Sequence, residues 1–211
     1  LEFSVDGKDA MFLDDQEILW QPGNPARSSA GRFDYGPELT VTSHPKIWSG
    51  EWTGEITGPL AAKVTSPKDD VAGIQLIREF ELTALKGQTG ERTQLICRQG
   101  IHNISTEVKE VCHWGRSFSP GGGICLIPLG KSPSRFPSKY AMYEDSAIIN
   151  VRNTDDKIRE RDGFLEILAP PRKPKLGCDS MTGWLGYLMP NATLFVKRYK
   201  TYPDRVYNEA A

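Results

Sequence analysis

Residues suited to binding or transforming a polyhydroxyl ligand gather first between positions 31 and 48. The segment Gly31–Glu38 holds an arginine, two carboxylates and two aromatic rings, and His44 and Trp48 follow it. Planar charged groups make paired hydrogen bonds to neighbouring hydroxyls, and aromatic faces cover the apolar side of a sugar ring. The combination suits a carbohydrate site that uses Arg32, Glu38 and His44, and it equally suits an ordinary surface loop with an Arg–Asp pair.

A second cluster places a histidine and an arginine just before the triple glycine at 121–123. In an extended strand His113 points to one side, whereas Trp114 and Arg116 point to the other. These side chains suit an anionic or hydroxyl-rich ligand, and a purely structural role for a lone strand histidine is the alternative. We take His113, Trp114 and Arg116 as candidate site residues.

A third cluster contains Trp184 and Lys197. Lys197 and Arg198 would point to opposite faces of a strand, so one of them turns inward and needs a partner such as Asp204 or Glu209. Trp184 offers a ring for stacking on a sugar. A solvated strand face is the alternative interpretation of this cluster.

Several function classes lack their usual sequence evidence. There is no Gly-x-Ser-x-Gly or His-Glu-x-x-His segment and no nucleotide-binding fingerprint. The 26 basic and 27 acidic residues give a net charge of −1 without a basic stripe, which argues against a nucleic-acid partner. Uncharged apolar stretches fall far short of the roughly 18 residues of a membrane span. We expect no metal ion and no cofactor.

The four cysteines are isolated from one another, with no Cys-x-x-Cys pair. They are Cys97, Cys112, Cys125 and Cys178. Three of them sit within apolar, strand-like runs, which favours buried free thiols. Disulfides are the alternative, and four cysteines allow three pairings.

Alternation of apolar and polar residues with period two dominates the chain. Ile74–Leu82 and Thr93–Ile101 alternate on either side of a glycine-rich turn, which predicts a hairpin, and a turn at 6–8 predicts another. The same texture predicts further strands at Glu107–Trp114, Gly123–Pro128, Ala147–Val151, Phe164–Leu168, Gly183–Leu188 and Ala192–Tyr199.

Long loops are predicted at 21–43 and 130–143, where Gly, Pro and Ser are dense. The best helix candidate is Asp14–Leu19, and less than a tenth of the chain is expected to be helical. These elements predict an all-β fold, a large distorted β-sandwich with very little helix. We expect one domain over residues 1–211, with truncation at one or both ends left open.

Two tryptophans lie close together after His44. If this segment is extended, Trp48, Trp52 and Ile56 share one side. A core role for the pair is favoured over a place in a binding surface.

Eight short segments carry a family resemblance. They are Ile18–Trp20, Gly31–Phe33, Pro37–Glu38, Asn103–Ser105, Trp114–Pro128, Gly183–Tyr187, Leu194–Tyr199 and Tyr202–Asp204. Taken in order, they resemble an uncharacterised bacterial domain family of the galactose mutarotase-like superfamily. The resemblance implies a supersandwich with a concave face on which hexoses or oligosaccharides dock. It also implies acid–base chemistry by a histidine and a glutamate, with His113 and Glu209 as first candidates and His44 and Glu38 as the others.

The sequence departs from the mutarotase enzymes at three points. The Asn-His-x-Tyr-Phe-Asn stretch and the Glu-Pro-Gln segment are absent, and the chain is shorter. Binding is therefore a stronger expectation than turnover. We expect a carbohydrate ligand, either a hexose, a uronic acid or an oligosaccharide, and for any activity an aldose 1-epimerase-like isomerase or a carbohydrate-processing lyase.

The alternative function is a non-catalytic β-sandwich module of a larger secreted or envelope protein that mediates protein contacts. A secreted or periplasmic location is favoured, and the oligomeric state is left open by the sequence.

Overall fold

The computed structural model describes residues 4–5, 7–17, 19, 21, 24, 29–37, 41, 43–87, 90–131, 133–134, 136, 138–143, 149–150, 155–168 and 176–203. Their secondary structure comprises one helix and a series of strands. The elements are β1 (Ser4–Val5), β2 (Lys8–Asp9), β3 (Phe33–Gly36), α1 (Pro45–Ser49), β4 (Thr53–Gly58), β5 (Ala61–Thr65), β6 (Ile74–Gly87), β7 (Gly90–Asn103), β8 (Cys112–Gly115), β9 (Ile124–Pro128), β10 (Ala141–Tyr143), β11 (Ile149–Asn150), β12 (Ile158–Arg161), β13 (Phe164–Ile167), β14 (Leu176–Gly177), β15 (Trp184–Leu188) and β16 (Leu194–Arg198).

The fold is all-β, as the sequence predicts. Helix accounts for 3% of the structure, and the strands form several antiparallel sheets. In the described part of the chain, no helix has the length and apolar character needed to cross a membrane.

The chain divides into two compact units, one formed by residues 13–117 and the other by residues 1–12 together with 118–211. Each unit contains its own sheets and its own hydrophobic cluster. The organisation of residues 1–211 as one sandwich domain stays a prediction.

Two antiparallel sheets enclose the core of the unit formed by residues 13–117. One has the strand order β4-β5-β6-β7, and the other pairs β3 with β8. The long hairpin of β6 and β7 confirms the predicted one, with Ile74 opposite Asn103 at one end and Gly87 opposite Gly90 at the other. The core residues come from both sheets, from α1 and from the turn before β6: Phe33, Tyr35, Ile47, Ala72, Ile74 and Leu76.

The other unit contains a five-stranded sheet, β12-β13-β9-β15-β16, and a three-stranded sheet, β11-β10-β14. Strands β1 and β2 form the hairpin predicted near the start of the sequence. The two larger sheets share one hydrophobic cluster, made of Ile127, Tyr140, Met142, Ile158 and Leu165. Across the two units, the six further strand segments predicted from the sequence correspond to β8, β9, β11, β13, β15 and β16.

Three local predictions are wrong. The loops predicted at 21–43 and 130–143 contain β3 and β10, because a short buried strand leaves little alternation among so many turn residues. Residues 15–17 form a turn, and the helix lies at Pro45–Ser49 instead. Proline in the first turn and Gly50 at the end are the sequence signals for this helix.

The four cysteines are free thiols, two of them exposed and the other two half-buried. Cys97 and Cys112 are exposed, which corrects the prediction of buried thiols in apolar runs. Their strands β7 and β8 each have one face outside the core, so an apolar neighbour in sequence does not bury the cysteine beside it.

A buried carboxylate joins two strands of the five-stranded sheet. Glu166 on β13 lies opposite Arg159 on β12, and its side chain is 7% exposed. The Arg159 Nε donates to one carboxylate oxygen at 2.6 Å, and the Arg161 Nη2 lies 2.8 Å from the other. The hydrogen bond and charge of Arg159, with Arg161 beside it, lower the pKa of Glu166.

We expect Glu166→Gln to lower the melting temperature at pH 7, because two guanidinium groups lose their anion. A lowered carboxyl pKa contributes stability above the ordinary value of about 4.3, and the contribution disappears as the pH falls through the folded-state value. The difference between the variant and the wild type should therefore shrink below about pH 4. Calorimetric melting from pH 3 to 7 measures it.

Glu160→Gln is the matched control, since Glu160 is about half-exposed and pairs only with the solvent-facing Lys139 among the described residues. Equal melting temperatures for Glu166→Gln and the wild type at pH 7 would contradict the structural role of this carboxylate.

Candidate functional site

The pairing of β3 with β8 collects most of the candidate side chains on one surface. Asp34 lies opposite Trp114, and the Arg116 backbone N–H donates to the Arg32 carbonyl oxygen at 2.7 Å, which continues the same register. Because directly opposed residues point to the same side of a sheet, Arg32, Asp34, Trp114 and Arg116 share one face. The opposite face carries Phe33, which belongs to the core.

A glycine permits the close approach of the chain before β3 to β8. Gly31 has a φ of +110°, a region that side-chain-bearing residues rarely adopt. A Cβ atom there would overlap the Arg116 carbonyl oxygen. Gly31 thus contributes to the site by allowing Arg32 and Arg116 to lie side by side.

The Asp34 carboxylate is the buried centre of the site. Asp34 is 7% exposed, and three N–H groups surround its oxygens. Oδ1 accepts from the Tyr35 backbone N–H at 2.8 Å and lies 2.8 Å from the His44 Nε2, while Oδ2 accepts from the Trp48 indole N–H at 2.6 Å. Hydrogen bonds to a charged acceptor are stronger than neutral ones, so they offset the cost of burying this carboxylate.

Helix α1 supplies two of these donors. His44 is the N-cap residue and Pro45 begins the helix, so His44 and Trp48 are one helical turn apart. The His44 ring lies 4.3 Å from the Tyr35 ring and meets the Trp48 ring edge-on at 5.3 Å. The side chains of His44 and Trp48 are consequently held against β3.

Around this centre lies a pocket of about 380 Å³. The volume falls within the range of about 300–1,000 Å³ that is usual for ligand sites. Its lining comprises Asp34, Tyr35, Val41, Ser43, His44, Pro45, Trp48, Trp114 and Arg116. The pocket therefore combines a carboxylate, a guanidinium group, an imidazole and three larger aromatic rings within a single unit of the chain.

Each arginine of this face lies over a tryptophan. The Arg116 guanidinium carbon is 4.9 Å from the centre of the Trp114 ring, and that of Arg32 is 5.7 Å from the Trp48 ring. Cation–π contacts at these distances orient the guanidinium groups without neutralising their charge. The site thus contains two arginines, each packed on a tryptophan, on the same face as the Asp34 carboxylate.

Tyr35 also lines the pocket, and its hydroxyl group is buried. Tyr35 is 3% exposed, and within the described residues its Oη has no hydrogen-bond partner. Burial, followed by the charges of Asp69 and Asp34, raises the pKa of Tyr35 to about 12. The phenol stays protonated at neutral pH.

The structure brings together four of the predicted site residues. His44, Trp114 and Arg116 line the pocket, and Arg32 lies beside them against Trp48. Glu38 and Glu209 lie outside the described residues.

His113 does not line the pocket. It is exposed on the opposite side of β8, where its Nε2 lies 2.5 Å from the Gln99 Oε1 and its ring stacks on Phe33 at 5.2 Å. The alternation stated for His113 and Trp114 along a strand is therefore observed. The catalytic pair of His113 and Glu209 stays a prediction.

Trp184 and Lys197 belong to the other unit, in β15 and β16. The Trp184 ring meets Phe164 edge-on at 5.8 Å. Lys197 is half-buried and Arg198 is exposed, so Lys197 is the inward-facing member of the predicted pair. Asp204 and Glu209 lie outside the described residues.

Sequence reasoning misplaced Trp48, and it placed Asp34 and Tyr35 in the first cluster without taking either as a candidate site residue. The common side predicted for Trp48, Trp52 and Ile56 is wrong because Trp48 lies in α1, while Ile56 on β4 is 82% exposed. Trp52 packs against the core as favoured. An Asp between two aromatic residues in a Gly-framed segment was the available signal for Asp34.

The described residues contain no group of three or more His, Cys, Asp or Glu side chains placed to hold a metal ion. Comparisons with protein-family models, curated proteins and solved structures find no match to this chain. The resemblance to the mutarotase-like superfamily stays an expectation, and the function is argued from the pocket itself.

We expect Asp34→Asn to reduce the free energy of unfolding by about 1–3 kcal/mol, because an amide cannot accept from all three surrounding N–H groups and leaves a buried donor unsatisfied. Urea denaturation measures the change. The exposed Asp70→Asn is the control and should stay within about 0.5 kcal/mol of the wild type. A fully stable Asp34→Asn protein would show that the carboxylate does not hold the site together.

Proposed function

We propose that this protein binds a carbohydrate in the Asp34 pocket. The observation that carries the proposal is a buried carboxylate that accepts from Trp48 and shares its pocket with Trp114 and Arg116. Sugars present hydroxyl pairs and an apolar ring face, and sites for them need both kinds of partner.

The carboxylate retains capacity for a ligand. An ionised carboxylate has about four acceptor positions, and three are occupied by Tyr35, His44 and Trp48. One position, on Oδ2, is therefore left for a donor such as a sugar hydroxyl. The Arg116 guanidinium in the same lining complements it as a donor to ring or hydroxyl oxygens.

Aromatic surface in the pocket is also open to a ligand. Trp48 is 45% exposed although its indole N–H is tied to Asp34, and Trp114 is half-buried. Burial of such apolar surface by a ring face contributes roughly 25 cal/mol per Å². Anchored rings lose little side-chain entropy on binding, which favours a preformed site.

We expect titration calorimetry with hexoses, uronic acids and short oligosaccharides to detect binding, and Trp114→Ala and Arg116→Ala each to weaken it at least tenfold. A loss of one good contact of about 1.4 kcal/mol corresponds to that factor. The effect follows from removing a stacking surface in one variant and a charged donor in the other.

Trp184→Ala and Lys197→Ala are the matched controls, since they remove the same residue classes from the other unit. Binding that disappears in the controls and survives in the pocket variants would place the carbohydrate site elsewhere. If no sugar binds, the alternative of a non-catalytic module for protein contacts is favoured.

An aldose 1-epimerase-type activity is the second candidate function, and the hydrogen bond between Asp34 and His44 favours it. Ring opening of a hexose needs a proton acceptor and a proton donor near the anomeric centre. A carboxylate that orients an imidazole is a common arrangement for the second of these roles.

We expect His44→Ala to abolish any enzyme-dependent acceleration of α-glucose or α-galactose mutarotation, while His113→Ala retains it, because only His44 lines the pocket. Polarimetry on freshly dissolved sugar measures the rate. If His113→Ala loses the acceleration and His44→Ala retains it, His113 is the general acid. If the wild type does not accelerate mutarotation, the protein has no epimerase activity on these sugars, and carbohydrate binding is still tested by the calorimetry.

A further inference from the structure

Two of the four cysteines meet at the core of the unit formed by residues 1–12 and 118–211. Cys125 lies on β9 in the five-stranded sheet, and Cys178 directly follows β14 in the three-stranded sheet. Both pack against the hydrophobic cluster that these sheets share. The two thiols thus approach one core from two different layers.

An electrostatic effect of Cys178 on Cys125 agrees with this shared packing. Burial, and after it the neighbouring Cys178, raises the pKa of Cys125 to about 11. Burial and Asp179 raise the pKa of Cys178, against a backbone hydrogen bond from Ser180. Because such interactions weaken with distance, they agree with the shared packing in placing the two side chains near each other.

We propose that Cys125 and Cys178 are a covalent modification site, at which oxidation forms a disulfide between the two sheets. Both are free and half-buried in this structure. Disulfides across the two layers of a β-sandwich occur in other domains, where they pack within the core. The bond would close a loop between positions 125 and 178, and cross-links that close loops of this size usually stabilise the folded state.

The oxidant is a small-molecule disulfide such as oxidised glutathione. The thiolate of one cysteine attacks it, forming a mixed disulfide and releasing one reduced glutathione. The second cysteine, as its thiolate, then attacks the protein sulfur of that mixed disulfide and releases the other glutathione. Two thiols lose two protons and two electrons, and one glutathione disulfide is reduced to two thiols.

The rate should depend strongly on pH, since the thiolate is the reacting form. Besides the two thiols, the neighbouring titratable groups are Asp179, whose charge raises the pKa of Cys178, and Tyr199, whose pKa is raised by burial and then by both cysteines. With raised thiol pKa values, the thiolate fraction climbs about tenfold per pH unit and continues to rise above pH 8.5, where an ordinary cysteine levels off.

The test uses the full chain with Cys97→Ser and Cys112→Ser, which removes the two exposed thiols and leaves the core unchanged. After incubation with oxidised glutathione at pH 9, we expect thiol titration to fall from two thiols per chain to none. Peptide mapping should then show Cys125 joined to Cys178 within one chain. The melting temperature should rise by several degrees and return after treatment with dithiothreitol.

A third substitution, Cys178→Ser, is the control. It should leave one thiol that forms at most a mixed disulfide, with no rise in melting temperature. Two glutathione adducts without a protein disulfide, links between chains, or two thiols that persist at pH 9 would each overturn the proposal. None of these results bears on sugar binding, which involves the other unit.

Discussion

The register between β3 and β8 is the constraint on which the candidate site depends. Side chains alternate along a strand, so a slip of one residue would turn Asp34 away from Trp114 and exchange core and pocket residues. Core packing stabilises this register, because Phe33 and Tyr35 lie in the hydrophobic cluster with Ile74 and Leu76 of β6. The packing of the core-facing side chains of β3 therefore determines which of its side chains face the pocket.

The Asp34 carboxylate adds a second constraint, since a buried charge is stable only where donors surround it. Two of its donors come from α1 and its N-cap, so the carboxylate fixes a five-residue helix that is too short to be stable alone. In return, His44 and Trp48 become part of the pocket. The hydrogen bonds that compensate the burial of Asp34 are thus the same contacts that position α1.

The positions of the strands could be predicted from the sequence better than the pairing between strands. The hairpin of β6 and β7 has a local signal, because alternating runs flank one turn. The alternation at 113–116 likewise separated His113 from Trp114 and Arg116. Pairing of β3 with β8 joins segments about 80 residues apart, and no local pattern specifies it. The glycine- and proline-rich surroundings of β3 further conceal a strand whose four residues are all buried.

The same contrast between local sequence signals and contacts distant in sequence explains which site residues the sequence predicted. Arg32, His44, Trp114 and Arg116 stand out by residue type, and the fold brings them together. Asp34 and Tyr35 owe their roles to surroundings, since an aspartate or a tyrosine in a loop-like segment is ordinary until neighbours exclude water from it. What makes this pocket chemically distinctive is the desolvation of Asp34 and of the Tyr35 hydroxyl, and desolvation is a property of the assembled layers, not of any one segment.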